Sequence, residues 1–347
     1  MGKLEEKYTD IKFFDVKEEP FKVYGLYNYK NEDVFKRLPD DIGENVNEKV
    51  KTLYRDTAGG RVRFSTNSKY VAVKVTMPKI KKMHHMPLSG SAGFDLYLDN
   101  PENSDSMYIK SLMPPVNAVD GYEAIFVFDD RRTRYLTINF PLYNEVSTLH
   151  VGLQEDSEIG EGMKYKKELP IVYYGSSITQ GACASRPGNS FESMIARKLN
   201  LDYINLGFAG SALGEDIIMD YMADLPMLCF VSDYDHNAPL PLLKETHCKL
   251  YKKIREKHPD IPYVMITRPD FKYNEASDDA KDRKDVVIDT FRYAREIGDK
   301  NVYFIDGESF FMGQWLDSCT VDSVHPNDLG FSMMAESILA TFRLIGF

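Results

Sequence analysis

No apolar run in this chain reaches the roughly 18 residues that a membrane-spanning helix requires, so no membrane is expected among its partners. Cysteine is scarce: Cys183, Cys229, Cys248 and Cys319 share no CxxC spacing, which argues against a zinc site or a disulfide framework. Blocks of like charge are missing too. Lys and Arg number 43 against 53 Asp and Glu, a formal net charge of -10, and nucleic acid is not an expected partner. The seven histidines are scattered except for His84 and His85. Adjacent side chains in an extended segment point apart, so that pair reads as loop without a ligand. Neither a metal nor a cofactor is expected. The opening Met-Gly-Lys-Leu-Glu-Glu-Lys has no apolar stretch behind it, and Glu6 stands where a myristoylation signal wants Ser or Thr. The expectation is a soluble, cytoplasmic protein whose oligomeric state the sequence leaves open.

What is present suffices for a large core: 347 residues, 43% of them hydrophobic. Up to about residue 165 the pattern alternates with period two. Val71, Val73, Val75 and Met77 alternate with Ala72, Lys74 and Thr76; Phe94, Leu96 and Leu98 with Asp95, Tyr97 and Asp99; Leu136, Ile138 and Phe140 with Thr137 and Asn139. Gly59-Gly60, Pro114-Pro115 and Asp129-Asp130 punctuate these strands, which predicts an antiparallel sandwich or jelly roll with one face of each sheet on a core.

After residue 170 short apolar runs alternate with helical patterns: Ile171 to Tyr174, Tyr203 to Leu206, Leu228 to Val231, Tyr263 to Ile266 and Val302 to Ile305. This is the texture of a doubly wound parallel sheet covered on both faces. Val287, Phe291 and Ala294 make one helical stripe, ended by Gly298, and Met334, Ile338 and Phe342 make another. The expected division is a β-sandwich accessory domain over residues 1–165 and an α/β domain over 166–347, with the charged stretch Glu155 to Glu168 as linker.

Four segments of the second half could carry chemistry. The first strand runs into Gly175-Ser176-Ser177-Ile178-Thr179, a small turn at a carboxyl strand end, where open α/β sheets place reactive groups. Before the last helix stands Asp322-Ser323-Val324-His325-Pro326; a carboxylate three residues before a histidine can reach Nδ1 and leave Nε2 free as a base, while Pro326 keeps His325 out of helical dihedrals. Between them, the strand ends around Gly210 and Asn237 offer a backbone N–H and a side-chain amide suited to an oxyanion. His236 is a rival base and Cys183 a rival nucleophile. Trp315, with Phe310 and Phe311 before it, reads either as an apolar platform for a sugar ring or, preferably, as core beneath the last helix.

These blocks together resemble the SGNH (GDSL-type) hydrolases, and Gly93-Phe94-Asp95-Leu96-Tyr97 resembles the GxDLY string of the β-rich domain that accompanies one branch of them. The resemblance implies that Ser177 is the nucleophile, His325 the general base and Asp322 its orienting partner. It implies an oxyanion hole from the N–H groups of Ser177 and Gly210 and the Asn237 side chain. The usual Asp of the first block is replaced by Ser176, which leaves Ser176 as a second candidate nucleophile and a decayed, carbohydrate-binding protein as a competing function. The branch is similar to carbohydrate esterases, so the expected partner is a small-molecule substrate, an acetylated oligosaccharide; a lipase or thioesterase of the same fold is the alternative enzyme.

Overall fold

The computed structural model describes residues 4–269, 278–313 and 315–347. Ten strands precede residue 165: β1 (Ile11–Asp15), β2 (Lys22–Tyr24), β3 (Arg61–Thr66), β4 (Tyr70–Thr76), β5 (Phe94–Asp99), β6 (Ser106–Leu112), β7 (Gly121–Val127), β8 (Arg134–Asn139), β9 (Thr148–Gln154) and β10 (Ile159–Glu161). All pairings among them are antiparallel. One sheet runs β1-β9-β4-β7 and the other β10-β3-β8-β5-β6, with β2 on β3. The inward residues of both sheets, including Val71, Val73 and Val75 of β4 and Phe94, Leu96, Leu136 and Ile138 of β5 and β8, share one core, which makes the pair a sandwich. Part of the stretch expected as linker is edge strand, since Ile159–Glu161 pairs with β3.

The alternation understates how much of this half is covered. Asp95, Tyr97 and Asp99, which should face water, are 0%, 2% and 4% exposed. Their sheet is packed on its outer face by the second half of the chain. Gly188 donates its N–H to Asp95 Oδ2 at 2.8 Å, Asn139 Nδ2 donates to Oδ1 at 2.8 Å, and the Arg197 guanidinium lies 4.5 Å over the Tyr97 ring. A Cβ on Gly188 would stand 2.3 Å from the Tyr97 hydroxyl, so only glycine admits this approach. The Asp and Tyr of the Gly-Phe-Asp-Leu-Tyr string thus join the two halves, while its Phe and Leu fill the sandwich.

The second half contains β11 (Ile171–Gly175), β12 (Tyr203–Gly207), β13 (Cys229–Asp233), β14 (Tyr263–Ile266) and β15 (Val302–Ile305), all parallel, in the order β12-β11-β13-β14-β15. Successive residues of a strand face opposite ways. Ile171 and Tyr173 therefore enter one core with the helices Phe191–Leu199 and Asp328–Ile345, while Val172 and Tyr174 enter another with Asp216–Asp224, Leu240–Lys257 and Asp278–Glu296. Strand order reverses at β11, which opens a crevice at its carboxyl end. There the Ser176 N–H donates to the Asp233 carbonyl at 3.1 Å and ties the turn after β11 to the end of β13.

One buried group makes the stability of this half depend on pH. His247, 2% exposed, stacks 5.6 Å from the Tyr234 ring, its Nδ1 lies 2.8 Å from Thr290 Oγ1, and burial pulls its pKa down to about 4. The unfolded chain, with an ordinary histidine value of about 6.5, takes up the proton first. The stabilisation is therefore complete above about pH 6.5 and is lost as the pH falls toward 4, by roughly 3 kcal/mol in total. His247→Asn removes the ionisable group, so between pH 7 and pH 4 the wild type should lose about 3 kcal/mol more unfolding free energy than the variant. Urea titrations at the two pH values test this, and parallel losses would refute it.

Candidate active site

The two serines after β11 have different duties. Ser176 is 1% exposed and caps the short helix Ser177–Gln180, its Oγ accepting the Ile178 N–H at 3.1 Å. Ser177 is the first helical residue, and its Oγ lies 2.9 Å from His325 Nε2. Of the two candidate nucleophiles, only Ser177 meets an imidazole.

The local turn anticipated before the last helix is present. Asp322 Oδ2 lies 2.8 Å from His325 Nδ1, and Oδ1 accepts the backbone N–H groups of His325 at 2.8 Å and Val324 at 3.1 Å. Ser323 takes a φ of 67° to close this turn. Burial works against the Asp322 charge, but the bonds from the His325 N–H, its imidazole and the Val324 N–H prevail and hold the carboxyl below its ordinary range. With Nδ1–H directed at the carboxylate, Nε2 is left as an acceptor toward Ser177. Asn327 caps the helix behind, its Oδ1 accepting from Leu329 at 3.0 Å and Gly330 at 3.2 Å.

Gly210 and Asn237 sit on loops that meet. Asn237 Oδ1 accepts the Ala212 N–H at 3.3 Å, which turns the amide so that Nδ2 is the unused end. Among the described residues, neither Nδ2 nor the N–H groups of Ser177 and Gly210 donate to a protein acceptor. The Gly210 loop is positioned from below: Gln180 Oε1 accepts the Ala209 N–H at 3.0 Å, and Asn205 Nδ2 donates to the Thr179 carbonyl at 2.6 Å. Helix Ser177–Gln180 rests directly on β12, since a Cβ on Gly207 would lie 2.2 Å from the Gln180 nitrogen.

The rival groups are turned to other partners. His236 Nε2 lies 3.1 Å from Asp233 Oδ1 and 3.5 Å from Asp235 Oδ1. The Cys183 thiol donates to the His85 carbonyl at 3.4 Å, and burial pushes its pKa up to about 12. Phe310 and Phe311 are buried as expected, but Trp315 is 69% exposed and packs in no core. Among the described residues, two groups could converge on a metal ion, His85 with Cys183 and His325, and Asp233 with Asp235 and His236.

His84 is a turn residue as expected, and so is His85, but the two rings lie 4.6 Å apart instead of pointing away from each other, and His85 reaches the His325 side of the site. The His85 ring lies 5.6 Å from that of His325, and one nitrogen of each, with Cys183 Sγ, falls within 4.8 Å of the others. No local pattern couples residue 85 to residue 325; the docking of the sandwich on the parallel sheet brings them together. Tyr143 comes from the same half and donates its hydroxyl to the Ser177 carbonyl at 3.2 Å.

Residues 168–343 match the model of the GDSL-like lipase/acylhydrolase family, and residues 11–159 that of the GxDLY N-terminus of SGNH-hydrolase-type esterases. Among solved structures, a Bacteroides ovatus protein described as a GDSL-like lipase is 26% identical, with a TM-score of 0.86 over 96% of this chain and 98% of that one. A salicylyl-acyltransferase from a tetracycline biosynthetic pathway is 19% identical, with a TM-score of 0.79 over 97% and 98%. A family two carbohydrate esterase from Clostridium thermocellum, in complex with cellohexaose, is 15% identical, with a TM-score of 0.60 over 83% and 93%. No curated protein matches the chain in sequence.

The different settings of the two serines give a direct expectation. A fluorophosphonate probe should label the wild type and Ser176→Ala at Ser177, with Ser176→Ala losing about 1 kcal/mol of stability with its cap. Ser177→Ala should take no label, and mass spectrometry finding the adduct on Ser176 would reverse the assignment.

Proposed function

The chain belongs to the GDSL-like lipase/acylhydrolase family, and from that premise we propose that it is a serine esterase that removes acetyl groups from carbohydrate hydroxyls. The observation that carries this reading is the unbroken chain of hydrogen-bonding distances from Ser177 Oγ through His325 to Asp322, 2.9 Å and 2.8 Å. In the proposed reaction His325 Nε2 takes the Ser177 proton as Oγ attacks the ester carbonyl, and Asp322 stabilises the imidazolium. The N–H groups of Ser177 and Gly210 and the Asn237 amide receive the developing oxyanion. Collapse expels the alcohol, which takes the proton from His325, and water then releases the acetate by the same steps in reverse roles.

Two features favour a carbohydrate over a lipid. The loop that follows the Ser177 helix, Ala182-Cys183-Ala184-Ser185-Arg186-Pro187-Gly188-Asn189, is small and polar. It is also fixed, since the Ser185 N–H donates to Asp328 Oδ1 at 2.8 Å and Asn189 Nδ2 to Oδ2 at 2.8 Å, which leaves little freedom to open an acyl tunnel. Second, Trp315 stands exposed seven residues before Asp322, an aromatic face available to a sugar ring.

Ser177→Ala and His325→Ala should each lower kcat on an acetate ester by on the order of a millionfold, with Asp322→Ala roughly ten- to a hundredfold milder. Asn237→Ala should lower kcat by roughly a hundred- to a thousandfold at nearly constant KM, because its donor acts on transition-state charge. Steady-state kinetics decide: a Ser177→Ala enzyme as active as wild type removes the mechanism, and a pure KM effect makes Asn237 a substrate-binding group. Each usefully buried methylene contributes about 0.8 kcal/mol, so a site for fatty acyl groups gains kcat/KM with chain length. Here p-nitrophenyl acetate should exceed the butyrate and octanoate esters; an optimum at octanoate would make the enzyme a lipase or thioesterase.

A further inference from the structure

We propose that His85, carried by the sandwich half, is a substrate-positioning residue that hydrogen-bonds a free hydroxyl of the alcohol half of the ester, beside the oxygen that leaves. The inference rests on the esterase reading above and assigns the side of the substrate that the Ser177, Gly210 and Asn237 donors do not touch.

Three observations carry it. First, the imidazole is at the right place: its ring centre is 5.6 Å from that of His325, and a nitrogen of one ring lies within 4.8 Å of a nitrogen of the other. His325 is the group that must hand its proton to the departing alcohol, so whatever flanks His325 flanks the alcohol. A substrate oxygen in hydrogen-bond contact with His85 is then adjacent to the leaving oxygen. Second, His85 Nδ1 is shut off from water and has no hydrogen-bond partner among the described residues. Such a group costs free energy unless something pairs it, and a rotation of this partly exposed ring toward the cleft would pair it with a bound hydroxyl. Third, the backbone that carries the imidazole is held in place. The His85 carbonyl accepts from the Cys183 thiol at 3.4 Å, and Met83 and Met86 on either side of the loop pair as a β-bridge. Gly90 comes so close to the Ala184 carbonyl that a Cβ would lie 2.2 Å from it, which pins the following turn against the Ser177 side.

The chemistry selects the alcohol. Burial holds the His85 imidazole below the ordinary histidine range and so toward its neutral form, able to donate from one nitrogen and accept at the other. A hydroxyl supplies both a donor and an acceptor, whereas an alkyl or unsubstituted cycloalkyl alcohol leaves the buried nitrogen unpaired. A site built around such a group discriminates against the analogue that lacks the hydroxyl. The ligand class is therefore a sugar or other polyol acetylated next to a free hydroxyl.

The matched substrates are a monoacetylated methyl glucoside with its neighbouring hydroxyls free and cyclohexyl acetate, a ring of the same size without them. Assays contain EDTA, so that a cation caught by His85, Cys183 and His325 cannot mimic the effect. His85→Ala should lower kcat/KM for the sugar acetate by ten- to a hundredfold more than for cyclohexyl acetate, mainly through KM, and His85→Asn, which keeps a donor and an acceptor near Nδ1, should recover part of the difference. Equal losses on both substrates in both variants would mean that His85 merely supports His325, and no loss on either would mean that it touches nothing; each overturns the proposal. A folded wild type inactive on both esters overturns the esterase reading and this inference with it, an outcome distinct from an active enzyme that fails to discriminate.

Discussion

The Arg37 guanidinium is the point on which the two halves of the molecule meet. It is 2% exposed and faces four main-chain carbonyls: Leu53 at 2.6 Å and Asp56 at 2.8 Å from its own half, Asn205 at 3.2 Å and Gly207 at 2.6 Å from β12. Its plane lies 4.6 Å over the Phe208 ring. A buried charge is tolerated only when its donors are satisfied, and the planar fork of arginine can serve several fixed carbonyls where an ammonium could not. The Asn205 and Gly207 carbonyls belong to the strand end that carries the Gly210 loop and supports the Ser177 helix. The geometry around Ser177 is therefore set in part from outside the parallel sheet.

Gln180 extends the same arrangement. Its side-chain amide nitrogen lies 3.2 Å from Asp56 Oδ2 and 3.3 Å from the Leu142 carbonyl, both in the sandwich half, while its oxygen holds the Ala209 N–H. One side chain on the Ser177 helix thus measures the position of the sandwich and passes it to the loop of Gly210. Tyr143 does likewise for Ser177 itself, through its hydroxyl on the Ser177 carbonyl. The accessory half is part of the site's scaffold.

The parallel half was legible because each of its strands is a short apolar run with polar ends, and the expected runs at Tyr263–Ile266 and Val302–Ile305 are the observed strands. The segments that meet at the candidate site were also legible, since strand ends and the Asp322-x-x-His325 spacing are local features. The choice between Ser176 and Ser177 gained a physical basis only from the backbone, because capping depends on dihedrals that two adjacent serines do not reveal. Alternation placed Phe94 and Leu96 in the core but could not tell that Asp95 and Tyr97 are covered by another layer. Trp315 escaped for a similar reason, as exposure there is decided by the path of a loop without periodicity. His85 was invisible because its meaning comes from a residue 240 positions away in sequence.

The turn from Asp322 to His325 uses both oxygens of one carboxylate within four residues, one on the imidazole and one on the backbone that carries it. Imidazole and carboxylate are consequently a single cassette, anchored to the cap of the last helix, whereas Ser177 is anchored to the sheet. A relative displacement of the two carriers leaves the Asp322–His325 bond intact and changes the 2.9 Å gap between Nε2 and Oγ, against the bonds that tie Asp328 to Ser185 and Asn189. The orientation of the imidazole and its distance from Ser177 are thereby separated: the first is built into the cassette, and the second depends on how the last helix, packed on the helix Phe191–Leu199 and β15, is placed relative to β11.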